Sequence, residues 1–279
     1  MTTVLHISDT HFGTERPAVM AALLRLARAQ APDVLVVSGD ITQRARGAQF
    51  AAARTYIDAL AVPRSIVLPG NHDIPLFDLA ARLFRPYARY ASAFGPQLEP
   101  ELECEDVLVI GVNTTRAARH KHGEVSREQI DRVASRLVRA RPAQLRIVVT
   151  HHPVLVTRES DVKNLLRGHR QAVDAWTAAG AHLLLGGHIH LPYLRPLAEP
   201  HRDGTACAWV LQAGTAVSSR VRPPAPNSVN LIRYDALVSP RSCVVEIWSC
   251  RAVPGDFECV ETTRIPCLPA TPKEHSMAR

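Results

Sequence analysis

The sequence predicts an α/β protein built on two sheets, and three observations lead there. Short apolar runs alternate with helical periodicities through the first part of the chain. From about residue 207, strand-like runs follow one another with no helical pattern between them. The early runs also end, one after another, in polar residues able to bind metal.

The early apolar runs cover residues 4–8, 34–38, 65–68, 107–112, 145–150 and 182–185. They are rich in Val, Ile and Leu and lack polar alternation, which marks strands buried on both faces. After the first run, residues 17–30 place Val19, Leu23, Leu26 and Ala27 on one helical face, with Pro17 in the first turn. Residues 46–60 repeat Phe50, Ala53, Ile57 and Leu60 at intervals of three and four, which predicts a second helix. A third opens with the capping-box pattern Ser126-Arg127-Glu128-Gln129 and runs to about Ala140. The order β-α-β-α-β predicts a parallel sheet with helical cover.

Residues 207–212, 228–234, 242–250 and 257–263 read as antiparallel strands between Pro, Gly and Asp turns. They are expected to form a second sheet packed on the first. Residues 1–265 are expected to make a single domain, and the polar, Pro-containing tail 266–279 to be frayed. Residues 76–94 carry Phe77, Leu83, Phe84, Tyr87 and Phe94 at helical spacing, which predicts a packed helix. An exposed apolar flap is the alternative.

Composition narrows the class. A hydrophobic content of 46% and a charged content of 21% suit a soluble globular protein. No apolar run approaches a membrane span, and the N-terminus lacks the basic n-region of a signal peptide, so a cytoplasmic location is expected. All but three of the 33 basic residues are Arg, and the net charge is +7. That charge suits phosphate-bearing substrates, and equally a solvated Arg-rich surface. No stretch interleaves basic and aromatic residues, so nucleic acid is not the favoured partner. The six cysteines form no C-x-x-C pair, which argues against a zinc ribbon and for reduced thiols.

The chemistry lies after the apolar runs. They are followed by Asp9-Thr10-His11, Gly39-Asp40, Gly70-Asn71-His72-Asp73, His151-His152-Pro153 and Gly187-His188-Ile189-His190. In open α/β sheets the carboxyl edge of the strands is where ligands bind. In Asp9-x-His11 and His188-x-His190, alternate residues of an extended segment face one side. Asp40 is a lone carboxylate whose two oxygens can bridge two cations. Carboxylates, imidazoles and one amide, without thiolate, favour divalent Mn, Fe or Zn over a lone Ca ion.

Together these five segments resemble the signature of the calcineurin-like metallophosphoesterase superfamily over roughly residues 2–230. Within it, the chain is most similar to bacterial class III cyclic-nucleotide phosphodiesterases. The resemblance implies a four-layer αββα sandwich of two mixed sheets with helices on the outer faces. It implies one metal held by Asp9, His11, Asp40 and His190, and a second held by Asp40, Asn71, His151 and His188. His72 would be the catalytic, non-ligand histidine, paired with Asp73. Asp73 either orients His72 or caps the loop.

The expected reaction is hydrolysis of a phosphodiester, a cyclic nucleotide among the candidates. Two adjacent cations lower the pKa of a shared water, whose hydroxide attacks phosphorus in line. His72 protonates the departing oxygen or holds a phosphoryl oxygen. The alternatives are another phosphate ester (a lipid-linked pyrophosphate, a monoester or nucleic acid) and a non-catalytic protein-binding scaffold. His6 reads as a core histidine, and His152 as a pocket or turn residue. Asn113, Arg116, Arg220 and Arg222 are candidate substrate contacts, whereas residues 119–122 read as a solvated loop.

Overall fold

The computed structural model describes residues 1–197 and 208–267. Its strands are β1 (Thr2–Ile7), β2 (Val34–Val37), β3 (Arg64–Val67), β4 (Glu101–Glu103), β5 (Val107–Gly111), β6 (Leu145–Val149), β7 (Leu183–Gly186), β8 (Tyr193–Pro196), β9 (Trp209–Gln212), β10 (Asn227–Tyr234), β11 (Ser242–Cys250) and β12 (Glu258–Pro266). Its helices are α1 (Pro17–Gln30), α2 (Gly47–Ala59), α3 (Leu79–Phe84), α4 (Ala88–Phe94), α5 (Arg127–Val138) and α6 (His169–Ala178).

The strands form two six-stranded sheets, β12-β11-β10-β1-β2-β3 and β4-β5-β6-β7-β9-β8. β1, β2 and β3 run parallel, as the β-α-β-α-β order requires. The C-terminal strands do not make a sheet of their own, which corrects the sequence expectation. β10 pairs antiparallel with the free edge of β1, and β11 and β12 extend from it. β9 instead joins β7 in parallel. The second sheet grows from the parallel trio β5, β6 and β7, with antiparallel β4 and β8 on its edges. Local periodicity identifies a strand but says nothing of which edge it will join.

The layers follow from the alternation of side chains along each strand. In β1, Leu5 and Ile7 pack against α1, α2 and α4, together with Leu35, Val37 and Val67. Val4, Val34, Val36 and Ile66 point the other way and meet Val107, Val109, Ile147, Val149 and Leu183 of the opposite sheet. That second sheet turns Leu108, Ile110, Val148 and Leu184 outward onto α5 and α6. Helices therefore cover both outer faces, and each central strand is buried on both sides. This explains why the runs show no polar alternation.

α1 spans the expected residues and buries Val19, Leu23, Leu26 and Ala27. Ser126 and Gln129 close the capping box ahead of α5. α6, unanticipated in the sequence, buries Ala172 and Trp176. Residues 76–94 split into two short helices. α4 packs through Tyr90 and Phe94, but α3 buries none of its residues, so the expectation of one packed helix fails for its first half. β12 continues to Pro266, and Cys267 behind it is buried. The remainder of the expected tail, residues 268–279, and Cys207 of the expected strand 207–212 lie outside the described residues. The cysteines described are all free thiols. Among the described residues, no helix is long and apolar enough to cross a membrane.

Trp176 is fully buried, and its indole N–H donates to the Ile130 carbonyl at 3.3 Å, joining α6 to α5. Trp176→Ala should destabilise the protein by about 3–5 kcal/mol, read from urea unfolding. An unchanged midpoint would show that this outer helical layer lies outside the cooperative core.

Candidate metal centre

The site sits at the carboxyl ends of the parallel strands of both sheets. Asp9 and His11 follow β1, Asp40 follows β2, Asn71 and His72 follow β3, His151 follows β6, and His188 and His190 follow β7. These loops turn sharply. Eight described residues other than glycine have positive φ, and five are predicted ligands: Asp9 (53°), His11 (42°), Asp40 (49°), His188 (73°) and His190 (55°). Left-handed backbone is strained for such residues, and strain of this kind gathers at functional sites.

Backbone bonds hold the turns. Asp9 N donates to Gly39 O and His11 N to Asp40 O, both at 3.0 Å. Gly187 N donates to His151 O at 2.9 Å. Close approach makes glycine necessary at two points. A Cβ on Gly70 would overlap the Asp40 backbone and carboxylate, and one on Gly187 would overlap Ser8 and Asp9.

Two groups of donor atoms converge. Asp9, His11, Asp40 and His190 each bring a ligand atom within 4.8 Å of the others, and Asp40, His151 and His188 do the same. In the first group His11 Nε2 lies 3.1 Å from His190 Nε2, and 3.7 Å from carboxylate oxygens of both Asp9 and Asp40. In the second, His151 Nε2 lies 3.3 Å from Asp40 Oδ1. The Asn71 carbonyl oxygen lies 2.9 Å from His188 Nδ1 and 3.3 Å from His151 Nε2. All seven predicted metal residues are therefore brought together, with Asp40 common to both groups.

The outer contacts aim the imidazoles. His151 Nδ1 donates to Ser38 O at 2.8 Å, and His190 Nδ1 donates to Arg220 O. Each bond turns Nε2 toward the cluster, the usual support of a metal-binding imidazole. Burial pushes His11 and His188 down to about 3, so both stand as neutral donors. Burial opposes ionisation of Asp40, yet His151, His72 and His11 outweigh it and hold the carboxyl well below its usual range. Burial likewise opposes the charged form of His151, but Asp40 prevails and pushes it up to about 9.

This arrangement fits divalent cations. Carboxylate and imidazole donor atoms crowd against one another inside the protein. Such a set is costly unless positive charge sits among it.

The sequence model for the calcineurin-like phosphoesterase family matches residues 2–192, well over half the chain. The chain belongs to that family. A probable cyclic nucleotide phosphodiesterase of Rhodococcus erythropolis is 25% identical over 200 residues, covering 67% of this chain and 64% of that relative. A probable glycerophosphodiester phosphodiesterase of Arcobacter nitrofigilis is 25% identical over 202 residues, covering 67% and 71%. A UDP-2,3-diacylglucosamine hydrolase of Serratia proteamaculans is 25% identical over 249 residues, covering 82% and 98%. Among solved structures, a dimetal phosphatase from Danio rerio superposes with a TM-score of 0.65 at 13% identity, over 95% of this chain and 99% of that one. A purple acid phosphatase from yellow lupin gives 0.71 at 10% identity, over 95% of this chain but 53% of its own. These likenesses show the fold. The chain thus spans under two thirds of both the Rhodococcus relative and the lupin enzyme.

The remaining sequence candidates of this calcineurin-like phosphoesterase fall into place around the donors. His72 stands beside the first group, its ring centroid 4.9 Å from that of His11. Its Nδ1 donates to the Gln43 carbonyl at 3.0 Å, and Arg220 Nη1 lies 3.4 Å from its Nε2. The expected pairing of His72 with Asp73 is therefore corrected. Asp73 is fully buried, and its carboxylate accepts from the N–H groups of Ile41, Thr42 and Gly70 and from the Thr42 hydroxyl. It ties the loop after β3 to the loop after β2. Gln43 was missed because nothing in Ile41-Thr42-Gln43 distinguishes it from an ordinary loop.

His152 is buried, with Nδ1 2.7 Å from Thr114 Oγ1 and Nε2 3.1 Å from Lys121 O, and its ring packs on His188. His6 is the core histidine expected, bonded to Ser38 and Asn230. Asn113 and Arg116 are engaged by their own loop and by Gln129. Arg222 pairs with buried Asp161 at 2.9 Å and reaches the Ile189 carbonyl, bracing the loop that carries His188 and His190. Of the arginines named from sequence, Arg220 lies at the donors.

Asp40→Asn removes the charge that both donor groups share. Metal affinity should fall by more than the roughly 10–100-fold that loss of an outer-shell partner costs. Elemental analysis after Mn loading and dialysis measures it. Retention of two ions per chain would contradict the shared placement of Asp40.

Proposed function

We propose that this phosphoesterase hydrolyses a small phosphodiester at a centre of two divalent ions, with cyclic nucleotides the class to test first. One observation carries the reading: two donor groups meet at Asp40, and His72 and Arg220 stand at their edge. The names of the Rhodococcus and Arcobacter relatives, both probable phosphodiesterases, support the choice of a diester. UDP-2,3-diacylglucosamine, named for the Serratia relative, represents the alternative ester class and rests on that likeness alone.

Asp9, His11, Asp40 and His190 would hold one ion, and Asp40, Asn71, His151 and His188 the other. Mn, Fe and Zn all suit oxygen and imidazole donors. Such ions, when bound, acidify a water to near neutral pKa and offset the charge of the phosphoryl group.

The chain's own residues do the rest. His72 is held by Gln43 through Nδ1, which leaves Nε2 turned toward Arg220 at the edge of the donors. In its protonated form it would donate from Nε2 to a phosphoryl oxygen, or pass that proton to the departing oxygen. Arg220 is anchored by Gln43 Oε1 at 2.9 Å and offers its remaining guanidinium N–H groups to a phosphoryl oxygen. Asp73 acts through the loops it ties together and is a positioning residue.

His72→Ala should keep the bound metal and lower kcat on a chromogenic diester by about 10²–10⁴-fold. A wild-type rate would remove His72 from the chemistry. The same assay separates the ester classes. Mn-loaded enzyme should turn over a chromogenic diester and cyclic nucleotides faster than a monoester, and the reverse order would overturn the diester reading.

A further inference from the structure

Helix α3 buries little of itself: only Ala81 and Arg82 are half-buried. None of its residues is buried. Leu79, Leu83 and Phe84 are 72%, 74% and 77% exposed, and Phe77 just ahead of them is 79% exposed. No other described segment groups so many exposed large apolar side chains, and the other exposed ones are Met, Val or Leu. A helix of a globular domain ordinarily buries one face, and a clustered apolar patch marks an interaction site.

The segment is nevertheless held firmly in this pose. Asp78 caps α3 by accepting from Ala81 N at 3.0 Å, and Arg89 pairs with Asp78 at 2.7 Å. Arg82 donates to Pro75 O at 3.1 Å and to Arg119 O at 3.0 Å. At 100° per residue, Leu79, Leu83, Ala80 and Phe84 share one arc of the helix, while Arg82 and Arg85 fall on the other.

The charge around the patch is mostly positive. Two clefts of about 320 and 210 Å³ flank α3, lined by Arg44, Arg46, Arg85 and Arg89. Asp78 is the sole carboxylate lining either, and Arg89 already neutralises it. The Arg44 guanidinium lies 5.4 Å from the centre of the Phe77 ring. An apolar arc bordered by arginines matches the layered chemistry of an anionic bilayer, with acyl chains beneath phosphate headgroups. A short helix whose apolar arc is exposed suits a deformable surface that needs no preformed groove.

We infer that α3 and the residues leading into it dock this phosphoesterase on an anionic membrane surface. Phe77, Leu79, Leu83 and Phe84 enter the acyl boundary, and the flanking arginines meet the phosphates. Because Arg82 also holds the loop whose His120 faces His72, docking keeps the mouth of the metal centre beside the headgroup layer. The contact stands independently of which ester is cleaved.

Vesicle flotation tests it. The full chain should float with vesicles of mixed phosphatidylcholine and phosphatidylglycerol, and far less with phosphatidylcholine alone. The double variant Phe77→Ser/Phe84→Ser should lose at least about tenfold in partitioning, and Arg85→Gln should weaken the preference for anionic lipid. Both variants should keep the wild-type melting temperature and turnover of a soluble diester, since these side chains are exposed. Failure of the wild-type chain to float, or equal flotation of the double variant, would overturn the inference. So would a wild-type dimer in sedimentation that Phe77→Ser/Phe84→Ser dissolves, because a second copy of the chain would then be the occupant.

Discussion

The carboxylate of Asp40 is the point on which the two sheets agree. Its backbone is held in the left-handed region at φ 49°, which turns the chain back immediately after β2. One carboxylate oxygen lies 3.7 Å from His11 Nε2, and the other lies 3.3 Å from His151 Nε2. The His72 backbone N–H also binds that second oxygen, at 2.8 Å. A single side chain thus sets the spacing between donors that come from opposite sheets. No other residue of the cluster belongs to both donor groups.

That arrangement demands a fixed relation between the sheets, and the inner core supplies it. Val4, Val36 and Ile66 lock against Val109, Ile147 and Leu183 without a charged side chain among them. Above this layer, polar bonds span the same gap. Ser38 after β2 accepts from His151 after β6, and His188 N after β7 donates to the Asp9 carboxylate at 3.0 Å. Tight packing resists sliding of one sheet on the other, and the polar bonds convert that rigidity into ångström-level placement of donors. The strained backbone at five of the ligands is maintained by the same surroundings.

What the sequence revealed follows the range of each interaction. α1 was readable to the residue, because Pro17 starts it and Val19, Leu23 and Leu26 recur at helical spacing. The capping box at Ser126 was legible because its two bonds link residues three apart. The donor residues were legible because each directly follows an apolar run. Strand order was not, since β10 pairs with β1 across more than 200 residues of chain and no local pattern encodes that choice. The partner of His72 was also misread. The family resemblance implied Asp73, but around the 3-10 turn Asn71–Asp73 the two side chains find different partners. His72 reaches Gln43, and Asp73 reaches the backbone of the loop after β2.

The divergence has an electrostatic consequence. Asp9, Asp40 and Asp73 are all almost without solvent exposure. Three buried negative charges so close together repel, and burial further penalises each. Asp9 and Asp40 are held in the ionised form by imidazoles, His190 and His151 foremost among the favourable partners. Asp73 has no imidazole partner. Burial and the charge of Asp40 push it up to about 6, against the pull of three backbone N–H groups. Backbone amides carry no net charge, so they position Asp73 without cancelling its charge. A cation at Asp40 would act on both carboxylates, by engaging the one and by shielding the other from it. Ions held by this donor set would therefore also act structurally, by offsetting the repulsion between the residue that shares them and the residue that ties its loop in place.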